Sequence, residues 1–168
     1  QPNDAFQSLN RRKLLNLMQE RGGAALNIIP DRNWNLKDAA AAAVKRAKLA
    51  EIVTEAAARG LPINVGTEMN KLGLPFVDDL AGQVLRNYRE SFLSGARIMV
   101  GHALLARYAG FSYAGVEAAA EFRDAASRNR FFESVGALPP LNERTAAKLE
   151  ELGPAGALET CLLYTSPS

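Results

Sequence analysis

The sequence predicts an α/β fold with parallel strands and a helical C-terminal region, and three observations carry that expectation. Two short apolar runs, "AALNIIP" ending at Pro30 and "INV" at Ile63 to Val65, are rich in β-branched residues and closed by chain breakers. One long helix-patterned stretch lies between them. A polar cluster follows each run, as "DRNWN" at 31–35 and "TEMN" at 67–70. A strand, a long helix and a second strand form a crossover, which requires the strands to be parallel and the winding right-handed.

The elements follow in order. From Asp4 to Arg21, Phe6, Leu9, Leu14, Leu17 and Met18 recur near one helical face, with Asp4 placed as cap and Gly22-Gly23 as the stop. A helix from about Asp38 to Arg59 comes after the first polar cluster. Asp38 is its N-cap, Leu49, Ile52, Val53 and Ala56 its apolar stripe, and Gly60 with Pro62 its end. The stretch 83–110 admits two readings. In one, a helix stops at Gly95, "RIMV" at 97–100 is a third strand, and Gly101-His102 opens a polar turn. In the other it is one long helix, with Leu85, Tyr88, Phe92, Met99, Ala103 and Ala106 on one side. Two mid-helix glycines then cost about 1 kcal/mol each relative to Ala. Further helix follows Gly110, with a break expected near Ser127 to Asn129, a Pro139-Pro140 turn, and a closing helix of about Glu143 to Leu152.

Bulk properties narrow the function classes. A length of 168 residues with 48% hydrophobic and 23% charged residues is ordinary for a globular domain and argues against disorder. The net charge is only +2, and the run Arg11-Arg12-Lys13 reads as a solvated helix face, so no nucleic-acid partner is expected. No apolar stretch has bilayer length, so no membrane partner is expected either. One cysteine, Cys161, excludes an internal disulfide and a thiolate metal cluster, and suits a cytoplasmic setting. Residues 1–160 are expected to form a single α/β domain. The abrupt change of composition at 161–168 reads as a non-native tail.

Chemistry is expected at the carboxyl ends of the strands, where parallel α/β folds bind their ligands. Asp31, Arg32 and Asn33 follow the first strand, and Glu68 and Asn70 the second. Glu68, just past an apolar strand and a glycine, is placed for a general base or a metal ligand. Arg32 suits a substrate clamp, because a guanidinium grips a carboxylate or phosphate with two parallel hydrogen bonds. Asn33 and Asn70 are candidate substrate contacts and Asp31 a candidate catalytic carboxylate. On the three-strand reading His102, the single histidine, reaches the same rim as a catalytic group or metal ligand. Asp78-Asp79 suit a helix start through the helix dipole. There is no P-loop, dinucleotide turn, nucleophile elbow or zinc-protease motif.

At "NIIPDRNWN" and "INVGTEMN", with the long helix between, the chain resembles the later β/α units of a TIM-barrel metal-dependent hydrolase of the PHP and amidohydrolase type. The resemblance spans roughly Ala24 to Gly110. It implies a partial (β/α) barrel, the C-terminal portion of a larger enzyme, whose remaining metal ligands come from upstream strands. It also implies a divalent metal ion held with help from Glu68 and His102, and metal-assisted hydrolysis of a polar or anionic small molecule by the full-length parent. Two other expectations stand beside it. One is a sugar or acid isomerase using the same rim; the other is a non-catalytic helical interaction module.

Overall fold

The computed structural model describes residues 2–30, 36–67, 72 and 76–165, with side chains in the first helix described from Arg11 onward. Helix α1 (Pro2–Glu20) leads to strand β1 (Leu26–Ile28), helix α2 (Ala39–Ala58) and strand β2 (Ile63–Val65). A 3-10 turn (Leu85–Tyr88) opens directly into α3 (Arg89–Ala109). Helices α4 (Val116–Glu121), α5 (Ala125–Gly136) and α6 (Glu143–Thr165) complete the chain.

The local reasons for these elements are legible. Asp38 caps α2, its carboxylate accepting the Ala41 amide at 2.7 Å. Glycines at positive φ end both early helices, Gly22 at 84° after α1 and Gly60 at 64° after α2. On α2 the stripe is as expected, with Leu49, Val53 and Ala56 buried. On α1 the face is rotated: Leu15 is buried, whereas Leu14 and Leu17 are 65% and 49% exposed. Leu15 and Met18 join the strand-side core, and Arg11 on the same turn-spaced face bridges to Glu51 of α2. Further along, Arg59 binds Glu55 at 2.8 Å and reaches back across to Asn16 and Gln19 of α1.

The two strands are parallel and in register, Leu26 with Ile63, Asn27 with Asn64 and Ile28 with Val65. They form an open, two-stranded sheet among the described residues. Alternation puts Leu26, Ile28, Ile63 and Val65 on the face that joins the core of α1, α2 and the start of α3. Asn27 and Asn64 stand on the other face.

Residues 97–101 are helical, and the third-strand reading is thereby corrected. The physical reason lies in the glycines that seemed to argue against a long helix. The buried line of α3 is Phe92, Gly95, Ile98, Gly101, Leu105 and Ala109. A Cβ on Gly95 would overlap the Ile63 carbonyl, and one on Gly101 the Phe132 carbonyl of α5. Gly136 of α5 is equally close to Arg97 O. The glycines therefore let three backbones approach, a packing gain that outweighs their helix propensity. Met99 and Ala103, expected on the apolar side, are exposed instead.

Helix α3 spans two cores. Its first half packs with the strands, and its second half with an aromatic cluster. There Phe132 stacks on Phe111 at 5.8 Å and meets Phe131 and Tyr113 edge-on. The break expected at 127–129 lies earlier, at Phe122 to Asp124: Asp124 caps α5 by accepting the Ser127 amide at 2.7 Å. The last helix runs on through Thr165, kinked where Gly153 takes φ 62° before Pro154. Cys161, in the stretch read as a tail, is 7% exposed and packs in the aromatic core. Among the described residues no helix is long and apolar enough to cross a membrane.

Candidate functional site

Parallel pairing gives the sheet two distinct ends. At the carboxyl end the Gly66 amide donates to Ile28 O at 2.7 Å, extending the ladder by one bond past the strands. The two chains thus leave the sheet side by side, at Ile29-Pro30 and Gly66-Thr67. Pro30 is fully buried, so the first connection departs from a fixed point. The candidate residues Asp31, Arg32, Asn33, Glu68 and Asn70, like Trp34, lie outside the described residues.

What is described at this end constrains the second connection. Thr67 Oγ1 donates to Phe76 O at 3.1 Å, clasping the loop so that residues near 67 and near 76 are neighbours. Two residues beyond the clasp, Asp78 is 7% exposed, the one buried charged side chain among the described residues. Its neighbour Asp79 is exposed and accepts the Ala81 amide at 3.0 Å, a turn role in place of the expected helix start, since the 3-10 turn begins only at Leu85. Phe76 and Val77, by contrast, are 79% and 69% exposed. Asp78 was read only as a helix-start residue. The pair Asp78-Asp79 looks symmetric as sequence, and only packing separates the buried carboxylate from the solvated one.

His102 lies inside α3 and not in a turn after a third strand. Helix α3 passes Ile63, the first residue of β2, at Gly95. His102 is seven residues further along, about 10 Å at the rise of an α-helix. Its Nδ1 accepts the Tyr113 amide at 3.2 Å. An imidazole accepting at Nδ1 carries its proton on Nε2 in the neutral form. Tyr113 in turn donates its hydroxyl to Asn129, and Asn129 Nδ2 donates to Gly60 O at 3.0 Å, just ahead of β2. Burial pushes the Tyr113 phenol up from its ordinary value. The structure therefore assigns His102 to a network that fixes the segment after α3 and the entry to β2.

Metal binding finds no donor set in the part that is described. Among those residues no group of three His, Cys, Asp or Glu side chains is close enough to hold a metal ion. His102, the histidine expected among the ligands, has its Nδ1 engaged by the Tyr113 amide, and Glu68 lies outside the described residues. Comparison with protein-family models, with curated proteins and with solved structures finds no match to the chain.

Proposed function

We propose that the chain is part of a β/α-type enzyme that binds a polar or anionic small molecule at the carboxyl end of its strand pair. The single observation that carries this reading is the in-register parallel pairing of β1 and β2, which sends both polar connections out from one edge. The helix-covered apolar face and the Asn27/Asn64 face support the finer reading of a partial (β/α) barrel, whose interior face would carry the asparagines.

In this proposal Arg32 grips the anionic group of the substrate, with Asn33 and Asn70 as neutral hydrogen-bonding partners. Glu68 serves as the proton acceptor, Asp31 supports it, and the buried Asp78 stands two residues from the loop clasp beside it. The reaction class that suits such a carboxylate-rich edge is hydrolysis, with Glu68 taking a proton from attacking water. A divalent ion, which the resemblance implies, would in this reading be held by carboxylates of this edge, His102 Nδ1 being engaged by the Tyr113 amide, and no step is derived through it.

The test uses the full-length protein, with Glu68→Gln, Asp78→Asn and His102→Gln beside wild type. Turnover of phosphorylated, carboxylated and amide small molecules is measured together with metal content by elemental analysis. The proposal expects turnover to collapse by at least about 100-fold in Glu68→Gln, as loss of a general base does, and to survive His102→Gln. Equal turnover in Glu68→Gln and wild type would overturn it.

A further inference from the structure

A cleft of about 280 Å³ opens at the amino end of the strand pair, where α1 and α2 finish and α5 begins. Its walls include Gln19, Gly22, Gly23, Arg59, Ala125 and Arg128. Among the described residues two guanidinium groups line it and no carboxylate does. We propose that this cleft is an oxyanion site, which takes the phosphate or carboxylate group of a small molecule between Arg128 and Arg59.

Observations on both arginines support the assignment. Arg128 is held in place, with its guanidinium 4.3 Å from the centre of the Tyr113 ring. Tyr113 is itself anchored through Asn129 and, at its amide, by His102. The Nε of Arg128 is buried and has no hydrogen-bond acceptor among the described residues. Native structures leave few buried donors unpaired, and a charged donor is the costliest to leave so.

Arg59 is also pre-positioned. Its Nε donates to Glu55 at 2.8 Å, and its Nη1 to Asn16 and Gln19 at 2.6 and 3.0 Å. Those bonds fix the fork and leave Nη2 to donate elsewhere. Because Gln19 uses its carbonyl oxygen on Arg59, its amide nitrogen is a further neutral donor on the wall. Arg59 thus offers Nη2 in a fixed direction, and a guanidinium is the group proteins use for directional recognition of phosphate and carboxylate.

A competing role for the two arginines is to offset the helix ends. The C-termini of α1 and α2 border the cleft and carry partial negative charge. Carbonyls of both last turns are already engaged, Met18 O by the Gly23 amide at 2.7 Å and Ala56 O by the Leu61 amide at 2.9 Å. A dipole role needs only positive charge, so lysine would replace Arg128. An oxyanion site needs the guanidinium edge. The site is distinct from the carboxyl-end edge, so its test is independent of the proposed enzyme activity.

The experiment follows the arginine side-chain Nε–H signals of the whole chain by nuclear magnetic resonance. Sodium phosphate, and separately sodium acetate, is titrated in at constant ionic strength against sodium chloride. The expected result is a saturable shift of the Arg128 Nε–H signal with phosphate or acetate and none with chloride. Phosphate binding tighter than acetate binding assigns the site to phosphate esters; the reverse assigns it to carboxylates. In Arg128→Lys the affinity falls by about tenfold or more, because the charge stays and the fork is lost. Unchanged affinity in Arg128→Lys overturns the proposal, as does a chloride response equal to that of phosphate. Should Arg128→Lys fail to fold, the wild-type titration decides: no saturable shift at Arg128 or Arg59 overturns the site.

Discussion

Replacing Gly101 with alanine separates two accounts of the long helix by the sign of one number. On a free helix surface Gly→Ala stabilises by about 1 kcal/mol, because Ala is the better helix former. In this structure a Cβ at position 101 overlaps the Phe132 carbonyl and stands 3.1 Å from the Gly136 amide nitrogen. Neither neighbour is a flexible side-chain end, so relief requires α3 and α5 to move apart. Separation opens the aromatic cluster that Phe132 anchors. Overpacking of this kind costs about 1–3 kcal/mol, and rigid backbone on the receiving side favours the upper end. Against the propensity gain, the net expectation is a loss of about 1–2 kcal/mol. For a chain of this size that lowers Tm by roughly 2–8 °C. Urea and thermal unfolding followed by circular dichroism measure it, with exposed Ala47→Gly on α2 as the propensity control. If Gly101→Ala raises stability, the close approach of α3 and α5 is wrong.

Other expectations are simpler to state. Asp38→Ala removes the α2 cap and lowers stability by about 1 kcal/mol, read as a reduced urea midpoint at unchanged slope. His102→Ala strips the Tyr113 amide of its acceptor and lowers stability by about 1 kcal/mol, read as a reduced urea midpoint. The Asp124 carboxyl is held below its ordinary range, first by the Ser127 amide and then by the Ser127 hydroxyl. Its contribution is therefore present above about pH 4 and lost as pH falls through the lowered folded-state value. Asp124→Asn should flatten that part of the acid unfolding curve, and an unchanged curve would refute the cap's role. Burial pushes the Cys161 thiol up, so a thiol reagent should react slowly with the native chain and rapidly in denaturant.

The strand–helix–strand unit was legible because each of its signals is local. Asp38, Gly60 and the apolar stripe of α2 each specify their own turn of chain, and β2 falls at Ile63 to Val65 as the sequence predicts. The face of α1 was not legible. Leu14, Leu15, Leu17 and Met18 crowd two turns, and several rotations satisfy the same count. Which one is used depends on α2, through Arg11 to Glu51 and Arg59 to Asn16.

The fate of 97–101 was hidden for a related reason. Gly95 and Gly101 look like breakers along the chain, yet their effect is set by Ile63, 32 positions away, and Phe132, 31 positions away. That same outcome puts His102 within a helix and not in the turn after a third strand. The candidate site was legible only as an edge: sequence spacing locates where polar residues follow strands. The buried Asp78 and the Arg128–Tyr113 pair depend on tertiary contacts that no local pattern announces.

The most direct measurement is of scalar coupling through hydrogen bonds in the isotope-labelled chain, since the proposed site exists only where two extended segments run alongside each other in one direction. Coupling from the Gly66 amide nitrogen to the Ile28 carbonyl carbon, with a second from Leu26 nitrogen to the Pro62 carbonyl, is the predicted pattern. A Gly66 amide coupled to a carbonyl four residues back, or to one ahead of Leu26, would mean a coil or a reversed pairing. The two polar connections would then no longer share an edge.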